Sequence, residues 1–151
     1  MRAIICFILS ILLIYGCASS HAEFTFYDSH NKRYHSSTAG LNVKKEFGLE
    51  REPKIVVVAT SSKDNPKYKK QMKNIYNVDA EEMQYMYIIA NSDEEDRSGY
   101  YTSMATSKKL LDGDIFKVLI YDEEGNIIAQ SNEVFNESSL KYYLTNKSSG
   151  R

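Results

Sequence analysis

With 151 residues, 42% of them hydrophobic and 26% charged, the chain has the makeup of one globular domain. A formal charge of -1 leaves no basic excess, which excludes a protein drawn as a whole to nucleic acid or to an anionic surface. Twelve tyrosines with no tryptophan point to half-buried rings whose hydroxyls need partners.

The first 22 residues are set apart from the fold. Arg2 precedes an apolar run from Ala3 to Tyr15, and Gly16, Ala18, Ser19, Ser20 and Ala22 then supply small residues, the three-part layout of a secretory signal. The apolar core, roughly 13 residues, falls short of the roughly 20 that a bilayer helix needs. Two cuts fit. Ser20-His21-Ala22 before Glu23 yields a free protein, whereas Ile14-Tyr15-Gly16-Cys17 resembles a lipobox in which Cys17 is acylated, although Tyr15 is bulky there. Either route predicts an exported domain, periplasmic or secreted, touching a membrane only through a lipid on Cys17. Cys6 and Cys17 are the only cysteines, so the mature domain is left without a disulfide, a CxxC pair or a free thiolate. The expected organisation is a leader over 1–22, one domain over 23–145 and a polar tail over 146–151.

Along the mature chain, Phe24, Phe26 and Tyr34 around Ser29-His30-Asn31-Lys32 predict a hairpin with Asn31 in a left-handed turn position. Leu41 to Phe47 reads as a short helix stopped by Gly48. The β-branched run Ile55–Ala59 suits a strand covered on both faces, the centre of a sheet. Asp64 or Asn65 then caps a helix with Pro66 in its first turn. Tyr68, Met72, Ile75 and Tyr76 mark its buried side, and Lys67, Lys69, Lys70 and Lys73 fall largely opposite, as a solvated face. Met83 to Ser92 predicts a second apolar strand, followed by an acidic loop and a helix carrying Tyr100, Met104, Lys108 and Leu111 that ends at Asp112-Gly113. Phe116–Tyr121, a turn with Gly125 at a positive-φ position, and Ile127–Gln130 form an antiparallel pair, and Asn136 caps a last helix with Leu140, Tyr143 and Leu144 on one side.

This order, with "FTFYDSHNKRYHSS", "KIVVVAT" and "SKKLLDGDIFKVLIYDEEGNII", resembles the thioredoxin-like superfamily, and is similar to a bacterial group of short exported thioredoxin-like domains. The resemblance implies an α/β fold with a mixed sheet, a hairpin followed by β-α-β-α-β-β-α, flanked by helices. Its active members carry a thiolate in the turn after the central strand, stabilised by the following helix. Here Thr60-Ser61-Ser62-Lys63-Asp64-Asn65-Pro66 occupies that turn, and Gly113-Asp114-Ile115 stands where a proline is usual before the third strand. Because a hydroxyl cannot replace a thiolate in disulfide exchange, neither thiol oxidoreductase nor peroxidase activity is expected, and no cofactor.

Three loops are expected to converge at one end of the sheet. Ser61, Ser62, Lys63 and Asp114 are the binding candidates, through helix N-terminal N–H groups and the lysine. Asp64, Asp93, Glu94, Asp96 and Asp112 are candidate Ca²⁺ ligands, though without EF-hand spacing. His30 and His35 have no third zinc ligand nearby, and Ser61 and Ser62 lack a GxSxG elbow. The favoured function is a non-catalytic module binding an envelope protein or peptide; the alternative is a Ca²⁺-dependent or hydrolytic activity at the acidic loops.

Overall fold

The computed structural model describes residues 23–146; the expected leader with Cys17, and residues 147–151 of the tail, lie outside the described residues. In chain order the elements are β1 (Thr25–Tyr27), β2 (Arg33–His35), α1 (Ala39–Phe47), β3 (Lys54–Thr60), α2 (Pro66–Tyr76), α3 (Ala80–Met83), β4 (Tyr85–Asn91), β5 (Tyr100–Tyr101), α4 (Met104–Leu111), β6 (Phe116–Tyr121), β7 (Ile127–Ser131) and α5 (Glu137–Thr145). They build one mixed sheet in the order β2-β1-β5-β4-β3-β6-β7. Among the described residues no helix is long and apolar enough to cross a membrane.

Strand β3 is the centre because it is apolar on both sides. All seven of its residues are buried; it pairs in parallel with β4 from Lys54↔Tyr85 to Thr60↔Asn91, and antiparallel with β6 from Ile55↔Tyr121 to Thr60↔Phe116. Successive side chains of a strand point to opposite faces. Ile55, Val57 and Ala59 therefore join Phe26, Tyr34, Val43 and Leu111 in one core, while Val56 and Val58 join Met72, Ile75, Leu140 and Leu144 in the other. On the first face α1 and α4 pack with the inward side chains of the hairpin strands, and α2 and α5 pack on the second.

Local chemistry sets most boundaries where the sequence placed them. Asn31 (φ 63) turns the hairpin, and the Asp28 carboxylate accepts from the N–H groups of His30 and Lys32 at 2.8 and 2.9 Å. Gly48 (φ 64) ends α1, and Gly125 (φ 82) lies where its missing Cβ would stand 3.3 Å from the Ser37 backbone. The Asn136 side chain caps α5 by accepting from Ser139 N at 2.8 Å.

Two elements and one ring differ from expectation. The ring is Tyr76, expected on the buried side of α2 but 68% exposed because it lies beyond the Tyr68, Met72 and Ile75 stripe that faces the core. Tyr100 is not helical: with Tyr101 it forms β5, which joins the hairpin to β4, and α4 begins only at Met104 behind the Ser103 cap. Met83 belongs not to β4 but to the one-turn helix α3, capped by Asp79 and closed by Gln84 in the left-handed region (φ 48).

Candidate functional site

The turn after β3 is built from its own hydrogen bonds. Thr60, fully buried, donates its hydroxyl to Ser62 O at 2.7 Å and accepts from Ser62 N at 3.2 Å. Ser61 N donates to Ile115 O at 2.9 Å, Asp64 N to Ser62 Oγ at 3.2 Å and Asn65 N to Ser62 O at 3.2 Å. Asn65, rather than Asp64, caps α2: its side chain accepts from Lys67 N at 2.9 Å. The N–H groups of Ser61, Ser62, Asp64, Asn65 and Lys67 thus each have a partner within the fold.

The neighbouring loops do converge here. Ser92 N donates to Thr60 O at 2.9 Å, tying the loop after β4 to the end of β3. Lys63 bridges to it, with Nζ 2.9 Å from Glu94 Oε1 and 3.3 Å from Asp96 Oδ2. The bond to Glu94 raises the Lys63 pKa above the usual lysine value. Burial opposes ionisation of Asp96, but hydrogen bonds from Ser98 and the Lys63 ammonium outweigh it and hold its carboxyl below the usual range. Lys63 is therefore a strut between the turn and the acidic loop.

The remaining candidates are spread out. Asp64 pairs with Lys69 at 3.1 Å, and Asp114 with Lys117 at 3.1 Å. Asp93 N donates to the Asn91 side chain at 3.1 Å, and Asp112 adopts the left-handed C-cap of α4 (φ 48). Among the described residues no group of three or more His, Cys, Asp or Glu side chains is placed to hold a metal ion, so Asp64, Asp93, Glu94, Asp96 and Asp112 line one edge without forming a coordination shell. His30 sits in the hairpin turn and His35 at the end of β2, where it lines a surface cavity of about 470 Å³ with Thr106, Lys109 and Leu110 of α4; His35 pairs with Thr25 across the hairpin, not with His30.

The structure adds three residues to this end of the sheet. Ile115, whose carbonyl holds Ser61, leaves its side chain 66% exposed, and Met104 at the start of α4 is 44% exposed. Asn91 is buried, with its Nδ2 unpartnered among the described residues. Only Ile115 could have been suspected from sequence, as an apolar residue between a polar turn and β6.

No protein-family model matches the chain, and no curated protein does. Solved structures do. The exposed lipoprotein thioredoxin Etrx1 of Streptococcus pneumoniae superposes with a TM-score of 0.54 at 12% identity over 82% of this chain and 98% of its own. StoA of Bacillus subtilis gives 0.53 at 12% identity over 83% and 98%. A conserved protein of unknown function from Bacteroides fragilis gives 0.54 at 12% identity over 85% and 98%.

The chain has a thioredoxin-like fold.

The turn from Thr60 to Pro66 joins the central strand to α2, the place where the resemblance seen in the sequence implies a thiol in redox-active members. In this chain hydroxyls and a paired lysine fill it, and the only cysteines lie at positions 6 and 17. Ile115 and Met104 each leave an apolar side chain exposed.

Proposed function

We propose that this chain is an exported thioredoxin-like domain that binds an extended protein or peptide segment of the bacterial envelope without thiol chemistry. One observation carries the proposal: the turn after β3 holds Ser61 and Ser62 with their backbone bonded inward, while Ile115 beside it leaves an apolar side chain 66% exposed. Disulfide exchange needs a thiolate, which no residue of the domain supplies. Ser61, Ser62 and Asp114 border the contact, and Lys63 fixes its shape through Glu94 and Asp96. Tyrosine rings give such surfaces contact area at small entropic cost. Export is supported by the leader-like composition of residues 1–22 and by one structural neighbour being described as an exposed lipoprotein.

The test is selection of peptides from a display library against the processed protein, followed by titration of a selected peptide. Saturable micromolar binding, weakened at least about tenfold by Ile115→Ser, is the expected result. Lack of saturable binding by folded protein, or catalysed reduction of insulin disulfides, sinks the proposal. Mass analysis of the mature N-terminus separates an acylated Cys17 from a free Glu23.

A further inference from the structure

The chain as a whole is nearly neutral, but its charge is not evenly placed. Helix α2 contains four lysines, Lys67, Lys69, Lys70 and Lys73, and no acidic residue. Its inner side is committed to the core through Tyr68, Gln71, Met72 and Ile75, so Lys69, Lys70, Lys73 and Tyr76 form the outer side. Lys67 and Lys69 are satisfied within the fold, by Glu133 at 2.7 Å and Asp64 at 3.1 Å. Among the described residues Lys70 and Lys73 form no ion pair, nor does Lys141 on the exposed side of α5, which packs beside α2 on the same face of the sheet.

This arrangement works against the helix that carries it. Lysines in the first half of α2 oppose the positive end of the helix dipole, and Lys69–Lys73 and Lys70–Lys73 are like charges at the spacings where side chains meet. Among the described residues no carboxylate lies within ion-pair distance of Lys70, Lys73 or Lys141; Glu137, one turn before Lys141 on α5, is bonded to Asn77 instead. An external anionic surface would offset them.

Two exposed tyrosines belong to the same two helices, Tyr76 to α2 and Tyr142 to α5. Tyr76 is 68% exposed with its ring edge-on to Tyr87 at 6.1 Å, and Tyr142 is 62% exposed and edge-on to Tyr143 at 5.2 Å. Each is backed by a ring in the fold, so it projects as a fixed amphipathic plate. Aromatic plates beside flexible ammonium groups suit the headgroup level of a bilayer. The nearby acids lie at the ends of the layer: Asp64 and Glu133 in their pairs, Glu137 bonded to Asn77 at 2.7 Å, and Glu81 and Glu82 on α3.

We propose that the outer face of α2 and α5 docks on an anionic lipid bilayer through Lys70, Lys73 and Lys141, with Tyr76 and Tyr142 at the headgroup level. Because the apolar sides of both helices face the core, the contact is peripheral and reversible, a charge-driven docking rather than an insertion.

The test is vesicle co-sedimentation of the full chain with phosphatidylcholine vesicles and with vesicles containing phosphatidylglycerol. The wild-type chain should bind more tightly as phosphatidylglycerol increases, and the increment should shrink as salt shortens the screening length. In K70E/K73E/K141E the phosphatidylglycerol-dependent increment should fall at least about tenfold, whereas K44E/K45E/K109E, with the same change in net charge elsewhere, should keep it. Any contribution from residues 1–22 is common to all three chains. The milder K70Q/K73Q/K141Q should show the same loss at smaller size, and circular dichroism checks folding. Equal binding to both vesicle types, or equal loss in the two charge-reversal variants, overturns the proposal.

Discussion

The two faces of the sheet both bury tyrosine, but only the second also carries tyrosines on the outside of its helices. On the first face the aromatics interlock: Phe26 stacks on Tyr34 at 5.2 Å, Tyr100 meets both edge-on at 5.8 and 5.9 Å, and Phe24 rests on Tyr121 at 5.6 Å. Under α2 and α5 the buried rings Tyr68, Tyr85 and Phe116 stand among aliphatic side chains, and Tyr76 and Tyr142 stand outside the core. A ring enclosed by three others has no space to relax into, while a ring on the outside of a helix can be lost without a cavity. Tyrosine content alone therefore says little; the layer that covers each ring decides its role.

The sharpest way to break this comparison is to empty the first face. Phe26→Ala should cost about 3–5 kcal/mol in denaturant unfolding, whereas Tyr76→Ala should stay within about 0.5 kcal/mol. Similar losses for the two would show that the faces are not distinct.

High pH tests the buried hydroxyls of both faces. Burial pushes Tyr34 and Tyr121 on the first face, and Tyr68 and Tyr85 on the second, up to about 12. Between about 10 and about 12 the folded chain keeps protons that the unfolded chain releases. Stability is therefore full below about 10 and falls as pH climbs toward 12, by about 2.7 kcal/mol for a two-unit shift. The phenolate absorbance should rise in two phases, the later one coinciding with loss of structure.

At the start of β3 the buried Lys54 ammonium donates to the carbonyls of Tyr143 (2.8 Å) and Asn146, closing the last turn of α5. Lys54→Met leaves those carbonyls without their donor, and a loss of about 1–3 kcal/mol is expected by calorimetry. Asn65→Ala removes the α2 cap and should cost about 1 kcal/mol in the same measurement. The smallest effect belongs to Tyr121→Phe. The Tyr121 hydroxyl has no hydrogen-bond partner among the described residues, so its removal should leave stability within about 0.5 kcal/mol or raise it slightly. A larger loss would reveal a partner, such as a buried water.

Much of the fold was legible because it is written in local rules. The run Ile55–Ala59 announces a doubly covered strand, Asn65 and Asn136 announce helix starts, and Asn31, Gly48 and Gly125 sit at the positive-φ positions their residue types favour. Strand β5 escaped because two residues carry no period; Tyr100, Met104, Lys108 and Leu111 fit a helical spacing, but pairing of Tyr100 with Ile88 and Tyr101 with Tyr27 takes both tyrosines into the sheet. Helix α3 escaped because one turn is too short to show an apolar face. At the candidate site, sequence located the turn and named its residues. It could not show that Ser61 N is spent on Ile115 O or that Lys63 is held by Glu94 and Asp96, since those partners come from elsewhere in the chain.

By itself the sequence determined the order of the longer elements, the central strand, the Asn136 cap of α5 and the confinement of cysteine to positions 6 and 17. These follow from side-chain period, backbone preference and residue identity, all of which act within a few positions. Tertiary structure alone decided that the turn after β3 is tied to Ile115 and to the loop after β4, that the acidic loops form no metal shell among the described residues, and that α2 and α5, with Lys70, Lys73 and Lys141 exposed, pack on the same face of the sheet. The physical reason is that a hydrogen bond, an ion pair or a surface charge depends on which distant residues the fold brings within a few ångströms, and that distance is set by how the layers pack.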